Sequence, residues 1–161
     1  MYFYRELLSQ ILKVERFLGN IDAKADAKGR LFVPVIFRKN LQASGVEKLV
    51  LRKDIFMDCL VLYPKNIWDE ELSVLRSKLS RWDEEQETIF HQYVMDAEEL
   101  ELDSNGRVLI PKRYLQLAGI VSEVRFVGMN YTIEIWARNK LDKPLMNPED
   151  FKKGIQKWMA T

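Results

Sequence analysis

The sequence predicts an α+β fold made of two similar halves that share one core. Three observations predict it. The segment "ADAKGRLFVP" at 25–34 returns as "LDSNGRVLIP" at 102–111. In each copy a short β-favouring run ends in a proline suited to the first turn of a helix. Between the copies lies a stretch whose apolar residues recur at helical spacing. A half of about 75 residues buries too little surface to be robust alone, so the halves are expected to interlock about a pseudo-two-fold axis.

In chain order, Tyr4, Leu7, Leu8, Ile11 and Leu12 fall at helical spacing within residues 2–18, and an N-terminal extension over 1–17 is expected to be helical. The first half spans 18–63. Its Asp26–Gly29 turn leads into "RLFV", Pro34 opens a short helix, Gly45 stops it, and "KLVLR" pairs with "DCLVLY". An insert over 64–97 carries Trp68, Leu72, Leu75, Leu79 and Trp82 as one helical stripe, and Ile89, Phe90, Tyr93 and Val94 as the face of a second helix.

The second half, 98–140, repeats the first at an offset of 77: Asp26 with Asp103, Gly29 with Gly106, Arg30 with Arg107, Pro34 with Pro111, Phe37 with Tyr114. Gly119 again ends the helix, and "EVRFVG" and "TIEIWA" form the hairpin, turning at Met129-Asn130. Over 141–161 a last helix is expected, with Asn147 as N-cap, Pro148 in its first turn, and Phe151, Ile155, Trp158 and Met159 on one face. The four tryptophans all lie on apolar faces and read as core or subunit contact.

With 47% hydrophobic and 30% charged residues the chain is an ordinary globular protein. No apolar run is long enough to span a membrane and no signal-peptide pattern opens the chain, so the expectation is a cytoplasmic protein without a membrane partner. The single cysteine, Cys59, excludes an internal disulfide and a multi-cysteine zinc site, and reads as a core strand residue. The net charge of +1 hides an uneven distribution: +4 over 1–60, −8 over 61–103 and +5 over 104–161. Two basic stretches flank an acidic one, which permits a polyanionic partner.

Catalysis finds no foothold. His91 sits on or beside an apolar helix face, and the chain has no glycine-rich phosphate loop, His-x-x-x-His pair or nucleophile elbow. Glu98, Glu99, Glu101 and Asp103 alternate along a strand and lack a loop that would supply six or more oxygens to a hard cation. No cofactor, metal or small-molecule substrate is expected.

The repeated Asp-x-x-Gly-Arg carries the functional signal. Asp at the first and Gly at the fourth position suit a type I turn; the arginine is not demanded by the turn. One reading makes Arg30 and Arg107 pins that pair with Asp26 and Asp103. The other makes them donor forks projecting from the protein edge, suited to phosphates or to the O6 and N7 edge of guanine. Lys24, Lys28, Arg38 and Lys39 surround the first copy, whereas Ser104 and Asn105 fill the spacer of the second, with Lys112 and Arg113 beyond its proline. If one copy alone meets nucleic acid, it is the first.

These residues, with "DCLVLYPKNIW" and "TIEIW", resemble the MraZ family, bacterial regulators associated with the division and cell-wall gene cluster. The resemblance covers residues 19 to about 145 and implies two halves like the AbrB-type module: a duplicated double-psi, swapped-hairpin β-barrel with packed helices. It further implies a homo-oligomeric ring, commonly of about eight or more subunits, that binds double-stranded DNA at short G-rich direct repeats and associates with the nucleoid. Carried across, Arg30 leads the DNA contact with Lys28 and Lys24 beside it. Asp26 and Gly29 shape that loop, and Arg107 with Asp103 and Gly106 forms the equivalent, more structural unit. The rival reading is a non-catalytic interaction or scaffolding ring whose arginines are structural.

Overall fold

Neither half can satisfy its own strand edges, and the architecture follows from how they trade strands. In the computed structural model, which describes residues 16–160, the first half runs β1 (Phe17–Lys24), β2 (Arg30–Phe32), α1 (Val35–Ala43), β3 (Lys48–Lys53) and β4 (Leu60–Pro64). Helices α2 (Lys65–Lys78) and α3 (Glu84–Met95) form the insert. The second half repeats the order as β5 (Glu98–Glu101), β6 (Arg107–Leu109), α4 (Lys112–Leu117), β7 (Glu123–Asn130) and β8 (Thr132–Ala137). A 3₁₀ turn (Arg138–Leu141) and α5 (Pro148–Met159) follow.

Six strands make one antiparallel sheet in the order β1-β7-β8-β4-β3-β5, and β2 pairs with β6 in a separate ribbon. Exchanging the halves reads the six-strand order backwards. The outer strand of each half therefore lies on the hairpin of the other: β1 along β7 from Phe17↔Asn130 to Lys24↔Glu123, and β5 along β3 from Leu51↔Glu98 to Lys48↔Glu101. The two hairpins join at Leu62↔Ile133 and Leu60↔Ile135. Leu31, Phe37, Leu62, Val108, Tyr114 and Ile133, drawn from both halves, are buried in one cluster, so the core exists only when the halves are together.

Both short helices end alike. Gly45 (φ 69°) and Gly119 (φ 65°) take the left-handed conformation one residue past the cap. There Val46 N–H donates to Leu41 O at 3.0 Å, and Ile120 N–H to Leu115 O at 2.8 Å, satisfying carbonyls that the helix leaves over. Pro34 and Pro111 stand one residue ahead of their helices, as extended caps with ψ of 140° and 146°, rather than inside the first turn.

Two further expectations change, and two of the four tryptophans fall outside the core. Strand β1 opens the first half at Phe17, a buried residue, so the helix expected over 2–18 does not include Phe17 or Leu18; its remaining residues up to 15 lie outside the described residues. The α2 stripe stops at Leu75, because Leu79 is extended (φ −112°, ψ 130°) and Asp83 starts a new helix by accepting from Gln86 N–H at 2.9 Å. Trp82, in the link, is 97% exposed. Trp158 is exposed as well, leaving Trp68 and Trp136 in the interior; Trp68 lies flat on Tyr93 with ring centroids 5.4 Å apart.

Candidate nucleic-acid interface

The two Asp-x-x-Gly-Arg turns are built by the same bonds. In the first, Gly29 N–H donates to Asp26 O at 3.0 Å, closing a four-residue turn, and Asp26 N–H donates to Arg30 O at 3.1 Å. The Asp26 carboxylate reaches over its own turn, accepting from Lys28 N–H (3.0 Å), Arg30 N–H (2.9 Å) and Arg30 Nε (2.6 Å). In the second, Asp103 accepts from Asn105 N–H, Arg107 N–H and Arg107 Nε, each at 2.9 Å. The aspartates are thus turn organisers, a role open to a short carboxylate that can bond its own backbone two residues on.

Each carboxyl is held below its ordinary range, Asp26 chiefly by the Arg30 backbone N–H and Asp103 by that of Arg107; desolvation opposes the shift, and the guanidinium adds to it. Among the described residues, only the Nε–H of each guanidinium has a hydrogen-bond acceptor. A guanidinium has five N–H donors, so four remain at the Nη end, and among the described residues no protein acceptor meets those of Arg30.

The turns grip each other's strands. Ile110 N–H donates to Gly29 O at 2.9 Å and Val33 N–H to Gly106 O at 3.1 Å. Gly29 (φ 89°) is buried there, and a Cβ on it would stand 2.7 Å from Ile110 O, which no side chain tolerates. In the β2–β6 ribbon Arg30 pairs with Leu109 and Phe32 with Arg107, which puts these four on one face, while Leu31 and Val108 turn inward and are fully buried. The outer face is two arginines on one diagonal and two apolar residues on the other. Phe32 is 57% and Leu109 54% exposed. The Arg30 side chain is 34% exposed; that of Arg107 is 22% exposed and lies 5.6 Å over the Phe32 ring.

The surrounding charge differs from expectation in one respect. Arg38 does not support the first turn: it lies against Gly106, where it donates from Nε to Val33 O at 2.8 Å, because the interlock carries α1 across to the second turn. The equivalent place over Gly29 is taken by Leu115. Lys28 is exposed in the first turn, and Lys24, exposed at the end of β1, stands opposite Glu123. Structure thus brings Arg30 and Arg107 to one face, gives Lys28 to the first turn and Arg38 to the second, and leaves Lys24 beside an acid. Part of the basic surplus of the second half is neutralised across the interlock, Asp22 pairing with Arg125 at 2.7 Å and Arg138 at 3.3 Å.

Phe32 and Leu109 are absent from the sequence-based site, and Arg38 is expected there beside the first turn rather than the second. Strict alternation along "RLF" and "RVL" places Phe32 and Leu109 on the arginine face, a legible signal; the position of Arg38 depends on the exchange of halves and has none.

Other candidates sort quickly. His91 is exposed, its Nδ1 2.7 Å from Glu87 O within its own helix. Cys59 is fully buried just before β4, and burial pushes its thiol up, away from the reactive thiolate. Glu98 and Glu99 face Arg113 (3.8 Å) and Lys48 (3.3 Å), and among the described residues no group of acids, histidine and cysteine is arranged to hold a metal ion.

A family profile described as "MraZ protein, putative antitoxin-like" matches residues 17–91 and, a second time, residues 93–152. The chain belongs to the MraZ family. The transcriptional regulator MraZ of Phocaeicola vulgatus is 56% identical over 146 residues, covering 91% of this chain and 95% of its own. Its namesake in Bacteroides thetaiotaomicron is 52% identical, covering 89% and 92%, and that of Bacteroides fragilis 53%, covering 89% and 91%. The first MraZ match takes in the first half and most of the helical insert, the second the second half and the start of α5. Among the described residues of this MraZ-family chain, no helix is long and apolar enough to cross a membrane.

Proposed function

We propose that this protein is a non-enzymatic, sequence-specific transcriptional regulator of the division and cell-wall gene cluster, reading G-rich direct repeats in double-stranded DNA. It acts in the cytoplasm on the nucleoid. One observation carries the reading: each motif arginine is anchored at Nε by its own aspartate while its Nη end stays available on an exposed ribbon face. That is the preorganised fork that guanine O6 and N7, or a phosphate, can engage in pairs. Arg30 leads, being the more exposed, with Lys28 on the same turn and Lys24 further along; Arg107, against Phe32, contributes less. The names of the relatives agree with a regulatory role, and the strand exchange between halves is what a duplicated AbrB-like, double-psi, swapped-hairpin barrel requires.

One such turn makes only two or three contacts to DNA. Binding of that size is weak and salt-sensitive, each neutralised phosphate adding about 0.9 to the slope of log affinity against log salt. A homo-oligomeric ring of about eight or more copies turns later contacts into intramolecular ones, and direct repeats match such a ring better than a single palindrome does.

The competing reading, a scaffolding ring with structural arginines, draws on the same Asp–Arg clamp. Fluorescence anisotropy with a labelled G-rich direct-repeat duplex separates the two. Arg30→Ala is expected to lose about tenfold or more in affinity and to flatten the salt dependence, since a paired base contact contributes about 1–3 kcal/mol. Arg107→Ala loses less. Equal binding by wild type and Arg30→Ala in proteins of equal size and stability, or equal affinity for a scrambled duplex, refutes the regulator reading.

A further inference from the structure

Helix α5 is well started but uncovered. Asn147 caps it, accepting from Asp150 N–H at 2.8 Å, with Pro148 in the first turn and Glu149 and Asp150 at the positive end of the helix dipole. Yet no residue of its 12 is buried. An isolated helix of about 12–15 residues is marginal in water, and the interior Gly154 weakens it further. Phe151, Ile155, Trp158 and Met159 form one apolar stripe, all exposed. Lys152 borders it and the Lys157 Nζ lies 5.0 Å over the Trp158 ring. Gly154 has open space where a side chain would project, so a partner can approach the helix closely there.

A matching surface lies elsewhere on the chain. Between the β3–β4 loop and α3 runs a groove of about 510 Å³ lined by Arg52, Ile55, Thr88, Ile89, Gln92 and Tyr93. Ile55 and Ile89 are exposed and Phe56 extends the apolar rim. The Arg52 guanidinium, almost wholly buried, lies 4.0 Å over the Tyr93 ring and stiffens the floor. Asp96, the C-cap of α3, closes one end of the groove, and Glu84 and Glu85, one turn before Thr88 and Ile89 on the helix, continue its face as an exposed acidic flank. Lys53 also lines the groove but is paired with Asp58 at 3.8 Å, so the charge left open along its α3 flank is that of Glu84 and Glu85, which complements the lysines edging the stripe.

We infer that α5 of one copy seats its Phe151–Trp158 stripe in the β3–β4/α3 groove of a second copy of this chain, as the contact that builds the oligomer. This rests on the oligomeric part of the function proposed above. Hook and groove are different surfaces, so the contact is head-to-tail, and a head-to-tail contact closes into a ring when the rotation between neighbours divides a full turn. The exposed acids Glu84 and Glu85 on the flank of the groove then face Lys152 and Lys157 of the neighbour.

Two variants at exposed positions test it by light scattering and sedimentation at one protein concentration. Ile155→Glu/Trp158→Glu removes the hook and keeps the groove; Ile55→Glu/Ile89→Glu does the reverse. Each alone is expected to be a folded monomer where wild type is a large assembly. Mixed, they are expected to form a one-to-one dimer, since only one productive contact is left. Either variant assembling as wild type does, or a mixture that stays monomeric, overturns the hook while leaving the ring standing. A monomeric wild type overturns both.

Discussion

The close nesting of each turn against the opposite half makes its glycine the sharpest place to test the architecture. Gly29 and Gly106 occupy equivalent positions with φ of 89° and 82°, a region in which a side chain costs about 1–3 kcal/mol. They differ in what a methyl group would strike. At Gly29 it meets the Ile110 carbonyl oxygen at 2.7 Å and Leu115 Cδ1 at 3.3 Å. The carbonyl belongs to the strand that donates Ile110 N–H to Gly29 O, so relief means moving the ribbon, an overpacking cost of about 1–3 kcal/mol. At Gly106 the obstacle is the Arg38 side chain, which can swing away with the loss of one hydrogen bond worth about 0.5–1.5 kcal/mol. The alanine also restricts the unfolded chain, offsetting about 0.4–1 kcal/mol at both sites. Gly29→Ala should therefore destabilise by about 2–4 kcal/mol and exceed Gly106→Ala by about 1–2 kcal/mol. Urea unfolding at fixed protein concentration, with unchanged m, reads the difference. Equal losses, or a larger loss at Gly106, would show that the turns do not nest against the opposite strand as described.

Acid should weaken the fold in a defined window. Asp22, Asp26, Asp58, Asp103 and Glu87 all have lowered carboxyl pKa values from hydrogen bonds and nearby cations, so their contribution is complete above the unfolded carboxylate range, about 4. It is lost as pH falls through their lower folded values; urea midpoints that stay flat from pH 4 to 2 would contradict this. The Asp26→Asn/Asp103→Asn variant should show a shallower acid slope than wild type in the same titration. In the ribbon, Leu31→Ala should cost about 2–5 kcal/mol by emptying a buried site, whereas Phe32→Ala on the exposed face should cost far less; similar losses would mean that the faces are misassigned. Cys59 should resist thiol reagents in the native protein and react once it is unfolded, which mass spectrometry after timed alkylation can follow.

Local chemistry by itself determined much of this protein. The repeated turn, the proline-led helices, their glycine stops and the hairpins were legible because each depends on residues only a few positions apart, and so were the aspartate's grip on its own turn and the outward arginine. What depends on long-range exchange was not. β1 went unread because its partner, β7, lies about a hundred residues away, and nothing in "FLGNIDAK" alternates as strongly as the edge of a buried sheet. Trp82 lies off the core although its spacing continues that of α2, because α2 ends at the extended Leu79 and a second helix restarts at the capping Asp83. Arg38 belongs to the second turn although it is close to the first in sequence, since the halves cross before α1 begins. Sequence spacing thus determined which residues shape each turn; tertiary structure alone decided which turn each neighbouring side chain serves, because only the assembled core sets the two arginines on one face.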